Sequence, residues 1–133
     1  MNIPVSASQD VIRARNQARA IARQVGFSAL EATLIATAVS ELARNLLQHA
    51  GGGSLEIELL PPPHDGIRVV TRDQGPGIPD VPRAVRGGFS TSGSSGVGLA
   101  AVRKAMDVLH IDSSTGRGTT IVAEKRLKLP KWG

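Results

Sequence analysis

Glu41 and Asn45 stand four residues apart in a stretch whose neighbours Val39, Leu42 and Leu46 are apolar. At helical spacing they share one face. An acid and an amide placed so can serve phosphoryl transfer. The asparagine oxygen is a hard ligand of the kind magnesium accepts, and the carboxylate can orient or deprotonate a nucleophile. Magnesium takes few protein ligands and leans on substrate phosphates, so one asparagine suffices. On its own the same pair reads better as the solvated face of a helix.

Two further segments turn the pair into a constellation. In Asp73-Gln74-Gly75-Pro76-Gly77-Ile78 a carboxylate leads into a glycine-rich turn. Ile67, Val69 and Thr71 alternate before it, and Asp73 falls in their phase, so its side chain leaves the strand on the core side. A carboxylate there needs a polar partner. The amino group of adenine is one, and glycines let the backbone pass close to a base. A plain turn is the competing reading, since Asp, Pro and Gly are turn residues. Gly93-Ser94-Ser95-Gly96-Val97-Gly98-Leu99 then runs into a helix, where loop amides and the helix N-terminus can hold phosphates. In this order, the three segments describe a pocket for a purine nucleotide with a divalent metal.

Rival chemistries fit less well. Gly96-x-Gly98-x-x-Ala101 has dinucleotide-fingerprint spacing, but Phe89 to Ser95 before it is no strand, and a Walker Gly-Lys-Ser/Thr is absent. No serine sits on a Gly-x-Ser-x-Gly elbow. His49, His64 and His110 are far apart, with no carboxylates at metal-ligand spacing, and His49 falls near a helix C-terminus, where a cation is favoured.

The elements that must position these residues follow from pattern. Ile3 to Ser6 reads as a short strand. Ser6 or Ser8 caps a helix ending near Gly26, with Val11, Ala14, Ala18, Ile21 and Val25 as its apolar stripe. Ser28-Ala29-Leu30-Glu31 is a capping box for a second helix running to about Ala50, where Gly51-Gly52-Gly53 stops it. Leu55, Ile57 and Leu59 alternate with Glu56 and Glu58 as a half-buried strand. Pro61-Pro62-Pro63 ends it, and Asp65-Gly66 turns the chain into the strand that delivers Asp73. Pro76 to Gly98, rich in Gly, Pro and Ser, reads as a functional lid. A helix from Gly98 to about Asp107 turns Leu99, Val102 and Met106 inward. Val108 to Ser114 and Thr119 to Lys125 form a closing hairpin. Residues 1–126 are expected to form one domain and 127–133 a tail.

Bulk properties agree. The chain has 133 residues, 41% of them hydrophobic, enough for one core. Aromatics make up only 2%, so Val, Ile, Leu and Ala must build that core, and no cysteine is present for a disulfide or thiolate site. No apolar run reaches membrane-spanning length and the N-terminus lacks signal-peptide regions, so a cytoplasmic protein is expected. The net charge of +5 invites nucleic acid, but the basic residues are scattered with no aromatics between them for base stacking. An acidic protein partner uses that charge better.

The segments together resemble the GHKL (Bergerat-fold) ATPases. Val39-Ser40-Glu41-Leu42-Ala43-Arg44-Asn45 resembles their N box, and Asp73 to Ile78 and Gly93 to Leu99 their two glycine boxes. Gly116-Arg117-Gly118-Thr119 resembles the last motif. Within that family the chain is most similar to small serine/threonine kinases of bacterial partner switching, in particular the RsbT-type switch kinases of the stressosome. Ile35 to Leu42, Gly88 to Gly93 and Lys131-Trp132 carry that likeness. The resemblance implies an α/β two-layer sandwich, with a four-stranded mixed, mostly antiparallel sheet and helices on one face. It implies ATP with Mg²⁺ on Asn45, Glu41 as catalytic base, Asp73 reading adenine and Thr119 supporting it. Gly75, Gly77, Ile78, Gly93, Gly96, Val97, Gly98 and Leu99 would line the nucleotide. The implied partner is a STAS-domain antagonist protein, with a PP2C-type phosphatase or sigma factor as further candidates. Gln48 departs from the pattern, standing where many relatives place a lysine; Arg44 and Arg86 are candidates to replace its charge. An ATP-gated anti-sigma or phosphatase-activating module with little kinase activity is the alternative. A histidine-kinase catalytic domain would need a helical phosphoacceptor pair, for which there is no room before residue 28.

Overall fold

The computed structural model describes residues 1–75, 98–114 and 116–128. Strand β1 (Asn2–Val5) leads into helices α1 (Ser8–Val25) and α2 (Ala29–Ala50). Strands β2 (Gly53–Leu60) and β3 (Gly66–Asp73) follow, then helix α3 (Gly98–Ala105) and strands β4 (Val108–Ser114) and β5 (Gly118–Arg126).

The helix ends are set by local chemistry. The N-cap of α1 is Ala7, not a serine, and its methyl group can accept nothing. Asp10 does the capping instead: its Oδ2 accepts from the Ser6 amide at 2.9 Å and the Ala7 amide at 3.1 Å. The Ser6 bond is the main reason its carboxyl lies below the usual carboxylate range. In α2 the capping box forms as expected. Ser28 Oγ accepts from the Glu31 amide at 3.1 Å, and Glu31 Oε1 accepts from the Ser28 amide at 3.3 Å. Gly51, left-handed at φ 72°, ends the helix, and the Gly51 and Gly52 amides bond to Leu47 and Leu46.

The sheet has the order β1-β2-β3-β5-β4, and every pairing is antiparallel. This corrects the expected four-stranded mixed sheet: the described residues form five strands and no parallel pair. The reason is topological. β3 and β4 run the same way, as strands joined through a helix do, but β5 inserts between them and opposes both.

Register sorts the helix-facing side chains into rows across β2, β3, β5 and β4. One row is Ile57, Val69, Ala123 and Leu109, and the next is Leu55, Thr71, Ile121 and Ile111. The last is polar: Asp73, Thr119 and Ser113. Helices α1 and α2 pack over the apolar rows with Ala14, Ala18, Ala22, Ile35, Val39, Leu42 and Leu46, all buried, and Phe27 fills the joint between them. The inward residues expected on α3 are buried: Leu99, Val102 and Met106. On the opposite sheet face Arg68 stands between Glu58 and Glu124, bonding the latter at 2.8 Å.

Leu59 departs from its expected burial. It keeps the phase of Leu55 and Ile57 but is 65% exposed, whereas Leu60 is buried. Alternation fixes the face of a side chain, not whether a helix covers it. Leu59 borders an open apolar groove of about 270 Å³ with Met1, Ile21, Val25 and Ile57. Leu127, the first residue of the expected tail, donates its amide to Asp65 O at 2.8 Å and packs against the core.

Candidate functional site

Helix α2 places Glu41 and Asn45 at the border of the core. Leu42 and Leu46, one position further round, are buried and hold the helix in place. Glu41 and Asn45 themselves are half-buried. Arg44 Nη1 donates to Glu41 Oε1 at 2.5 Å. The other carboxylate oxygen faces the start of α3: a Cβ built on Gly98 would lie 3.0 Å from Glu41 Oε2 and 3.9 Å from Asn45 Oδ1. The pair expected from helical spacing and the glycine expected at the end of the phosphate loop are therefore neighbours. They bring two oxygens against a helix N-terminus, whose amides favour anions.

Among the described residues no three His, Cys, Asp or Glu side chains gather as a metal cage. Were Asn45 to hold an ion, oxygens of a bound substrate would have to complete its shell, the mode magnesium prefers. Arg44, a candidate to replace the charge absent at exposed Gln48, bonds Glu41 through one of its five N–H groups. Arg86 lies outside the described residues.

Asp73 closes β3 with its side chain half-buried in the polar row. Its Oδ1 accepts from the Gly75 amide at 2.8 Å, which fixes the carboxylate and starts the turn. Gly75 lies against the end of α2; a Cβ there would come within 2.7 Å of Ala50 Cβ and 3.1 Å of His49 O. Any larger residue would push the turn off the helix. Gly118 lies as close to the Asp73 backbone on the other side. It adopts φ +88°, and a side chain would collide with Asp73 O. The Gly75 amide thus holds the Asp73 carboxylate, and Gly118 packs against the main chain of the same residue.

Thr119, next to Gly118, pairs across the ladder with Asp73 and is buried. Its hydroxyl lies 2.9 Å from Ser113 Oγ. Sequence reading missed Ser113. The hairpin turn at Gly116-Arg117-Gly118 was the available signal, since closing it in register sets Ser113 opposite Thr119. His49 corrects a second expectation. It does lie in the last turn of α2, but burial pushes its proton affinity down, against the pull of the Asp73 carboxylate, so the cationic form is not the favoured one. Gly77, Ile78, Gly93, Gly96, Val97 and the expected lid lie outside the described residues.

The chain is similar to known proteins along nearly its whole length. The family described as "Histidine kinase-like ATPase domain" matches residues 5–125. Serine/threonine-protein kinase RsbT of Bacillus subtilis (strain 168) is 39% identical, over 95% of this chain and 96% of that protein. An anti-sigma F factor of Bacillus licheniformis is 35% identical, over 98% of this chain and 94% of its own length. The mycobacterial sensor histidine kinase MprB superposes with a TM-score of 0.59 at 20% identity, covering 95% of this chain and 96% of that one, which shows a common fold. A family match over residues 5–125 and a relative similar along nearly its whole length show that the chain belongs to the histidine kinase-like ATPase family, the GHKL ATPases.

Proposed function

We propose that this protein is an ATP-dependent serine/threonine kinase of a bacterial partner-switching pathway, acting in the cytoplasm on a STAS-domain antagonist protein in trans. The observation that carries the reading is the convergence of Glu41 Oε2 and Asn45 Oδ1 on Gly98 at the start of α3. Binding ATP alone requires no carboxylate beside the phosphate end of the pocket; transfer to a hydroxyl does.

In this reading Asp73 accepts from the adenine amino group and Thr119 completes the base edge. Gly75, Gly77, Ile78, Gly93, Gly96, Val97, Gly98 and Leu99 line the nucleotide. Asn45 would hold Mg²⁺, which neutralises phosphate charge when bound. Glu41 takes the proton of the acceptor serine or threonine. The hydroxyl oxygen then bonds to the γ-phosphorus as the bond to ADP breaks, and ADP leaves with the electron pair. Similarity along nearly the whole length of RsbT supports the kinase assignment, and similarity to the anti-sigma F factor supports a place in sigma-factor control. The net charge of +5 suits an acidic partner.

Incubation with γ-labelled ATP, Mg²⁺ and candidate STAS-domain proteins tests the proposal. Phosphoserine or phosphothreonine is expected on the partner, and Glu41→Ala should cut the rate by about 10²–10⁴-fold with ATP still bound. Tight ATP-dependent complexes with a sigma factor or PP2C-type phosphatase, with no transfer to any partner, would establish the binding-module alternative instead.

A further inference from the structure

The proposed base stands at the end of a stripe on α2 that the nucleotide site does not use. Leu34 and Leu30 precede Glu41 by seven and eleven residues. Both intervals are close to whole numbers of helical turns, so the three side chains leave the helix in nearly the same direction. Leu30 is 70% exposed and Leu34 46% exposed. At about 1.5 Å of rise per residue, Leu34 lies about 10 Å and Leu30 about 16 Å along the axis from Glu41.

The surface between them makes little polar demand. Thr33 and Thr37 are exposed, but Thr33 Oγ1 donates to Ala29 O and Thr37 Oγ1 to Thr33 O, each at 2.9 Å. Their protons are used within the helix, so covering these residues strands no hydroxyl donor, and their methyl groups remain for contact. Glu31, the one charged residue between Ala29 and Ser40, is half-buried and turned back to the Ser28 amide. A single exposed leucine is ordinary. Two of them one turn apart, joined by threonine methyls and aligned with Glu41, form a patch.

The flanks of the patch are cationic. Helix α2 lies between α1 and α3 and packs against both. Arg15 and Arg19 on α1, and Arg103 and Lys104 on α3, are exposed. The acids of these helices, Asp10, Glu31 and Glu41, are each half-buried and bonded to a neighbour, and α3 has none. Nucleic acid would satisfy the cations but not the leucines; a protein surface with an apolar patch among carboxylates satisfies both. We infer that this face of α2, centred on Leu30 and Leu34, is where the phosphoacceptor protein docks, seating such a patch on the leucines and setting its acceptor hydroxyl at Glu41. The inference rests on the kinase reading of Glu41.

Steady-state transfer by the full chain, from ATP with Mg²⁺ to a STAS-domain protein that accepts phosphate, separates KM from kcat. In Leu30→Gln/Leu34→Gln, KM for that protein should rise by about 10–100-fold, the worth of burying leucine side chains, with kcat and ATP affinity unchanged. Glutamine is a good helix former and both sites are exposed, so the melting temperature should stay near wild type. Should the double variant melt early, Leu34→Gln alone should show a smaller rise in KM. Leu30→Met/Leu34→Met keeps the apolar bulk and should hold KM near the wild-type value. Leu59→Gln, which removes an exposed leucine from the sheet, should leave KM unaltered. For wild type, KM should rise with salt as the charged rim is screened.

A folded double glutamine variant with wild-type KM, while Glu41→Ala still loses transfer, would overturn the inference and leave the kinase reading intact. Transfer to no STAS-domain protein by wild type would remove the kinase reading and the inference with it. A parallel loss of ATP affinity in the glutamine variants, or an equal rise in KM for Leu59→Gln, would overturn the docking role. So would a dimer in sedimentation that the double variant abolishes, which would give the stripe to a second copy of this chain.

Discussion

Glu41 and Gly98, 57 positions apart in the chain, meet so closely that a methyl group on Gly98 would stand 3.0 Å from Glu41 Oε2. That is tighter than ordinary carbon–oxygen contact, and the carboxylate is the flexible side. Gly98→Ala should therefore fold, with a melting temperature near that of wild type. The proposed base should shift by a few tenths of an ångström, and misplacement on that scale slows transfer by about 10–100-fold. Single-turnover transfer beside a thermal melt checks this; wild-type rates would mean that Gly98 does not set the position of Glu41.

Asn45 should matter in a different way from Glu41. With its oxygen gone, Asn45→Ala should bind ATP equally well with and without Mg²⁺, whereas wild type gains affinity from the ion. Titrations with Mg²⁺ and with EDTA make the comparison. A persistent Mg²⁺ effect in the mutant would place the metal ligand elsewhere.

Asp73→Asn keeps the shape of the side chain but replaces an acceptor oxygen with an amide that donates. ATP affinity should fall by about 1–3 kcal/mol, the cost of an unmet hydrogen bond to a charged group. Thermal melts in rising ATP would report the loss as a smaller shift. Equal shifts for a folded mutant would take adenine away from Asp73.

Burial lowers the proton affinity of His49 below its ordinary value of 6.5, despite the nearby Asp73 carboxylate. The unfolded chain then binds more protons than the folded one in the range from 6.5 down to the depressed value. Stability rises with pH through that range and is lost as pH falls through it. Wild type should lose stability between about pH 7 and pH 5, and His49→Gln should lose less over the same interval, as followed by urea titration. Asp10 cannot mimic this effect, because its carboxyl, lowered from 3.8, gives up its contribution only at still more acid pH.

Much of this architecture was legible because local chemistry decided it. Ser28 and Glu31 form their capping box, the glycines after Ala50 stop α2, and the phase of Ile67, Val69 and Thr71 carries Asp73 to the helix side. Reading failed where a distant element decided the outcome. The exposure of Leu59 depends on where α1 stops covering the sheet, which no strand pattern encodes. The purely antiparallel sheet depends on β5 inserting beside β3, a choice made across more than 40 residues of chain. The start of α1 failed for a smaller reason: Ala7 stands at the N-cap between the two candidate serines, and Asp10 reaches back to the amides of Ser6 and Ala7. Ser113 could be placed only through the hairpin register, which sets it opposite Thr119.

The pairing of Asp73 with Thr119 also bears on how this protein folds. β3 and β5 zip up across a long excursion of chain, so the loop-closure entropy is met before the polar row exists. No fragment that lacks either strand holds both halves of the proposed base site, and a nucleotide that needed both would bind only a chain whose sheet has closed. Bound ATP would then oppose unfolding of the whole domain by mass action, and cellular energy charge would tune how long each copy survives proteolysis.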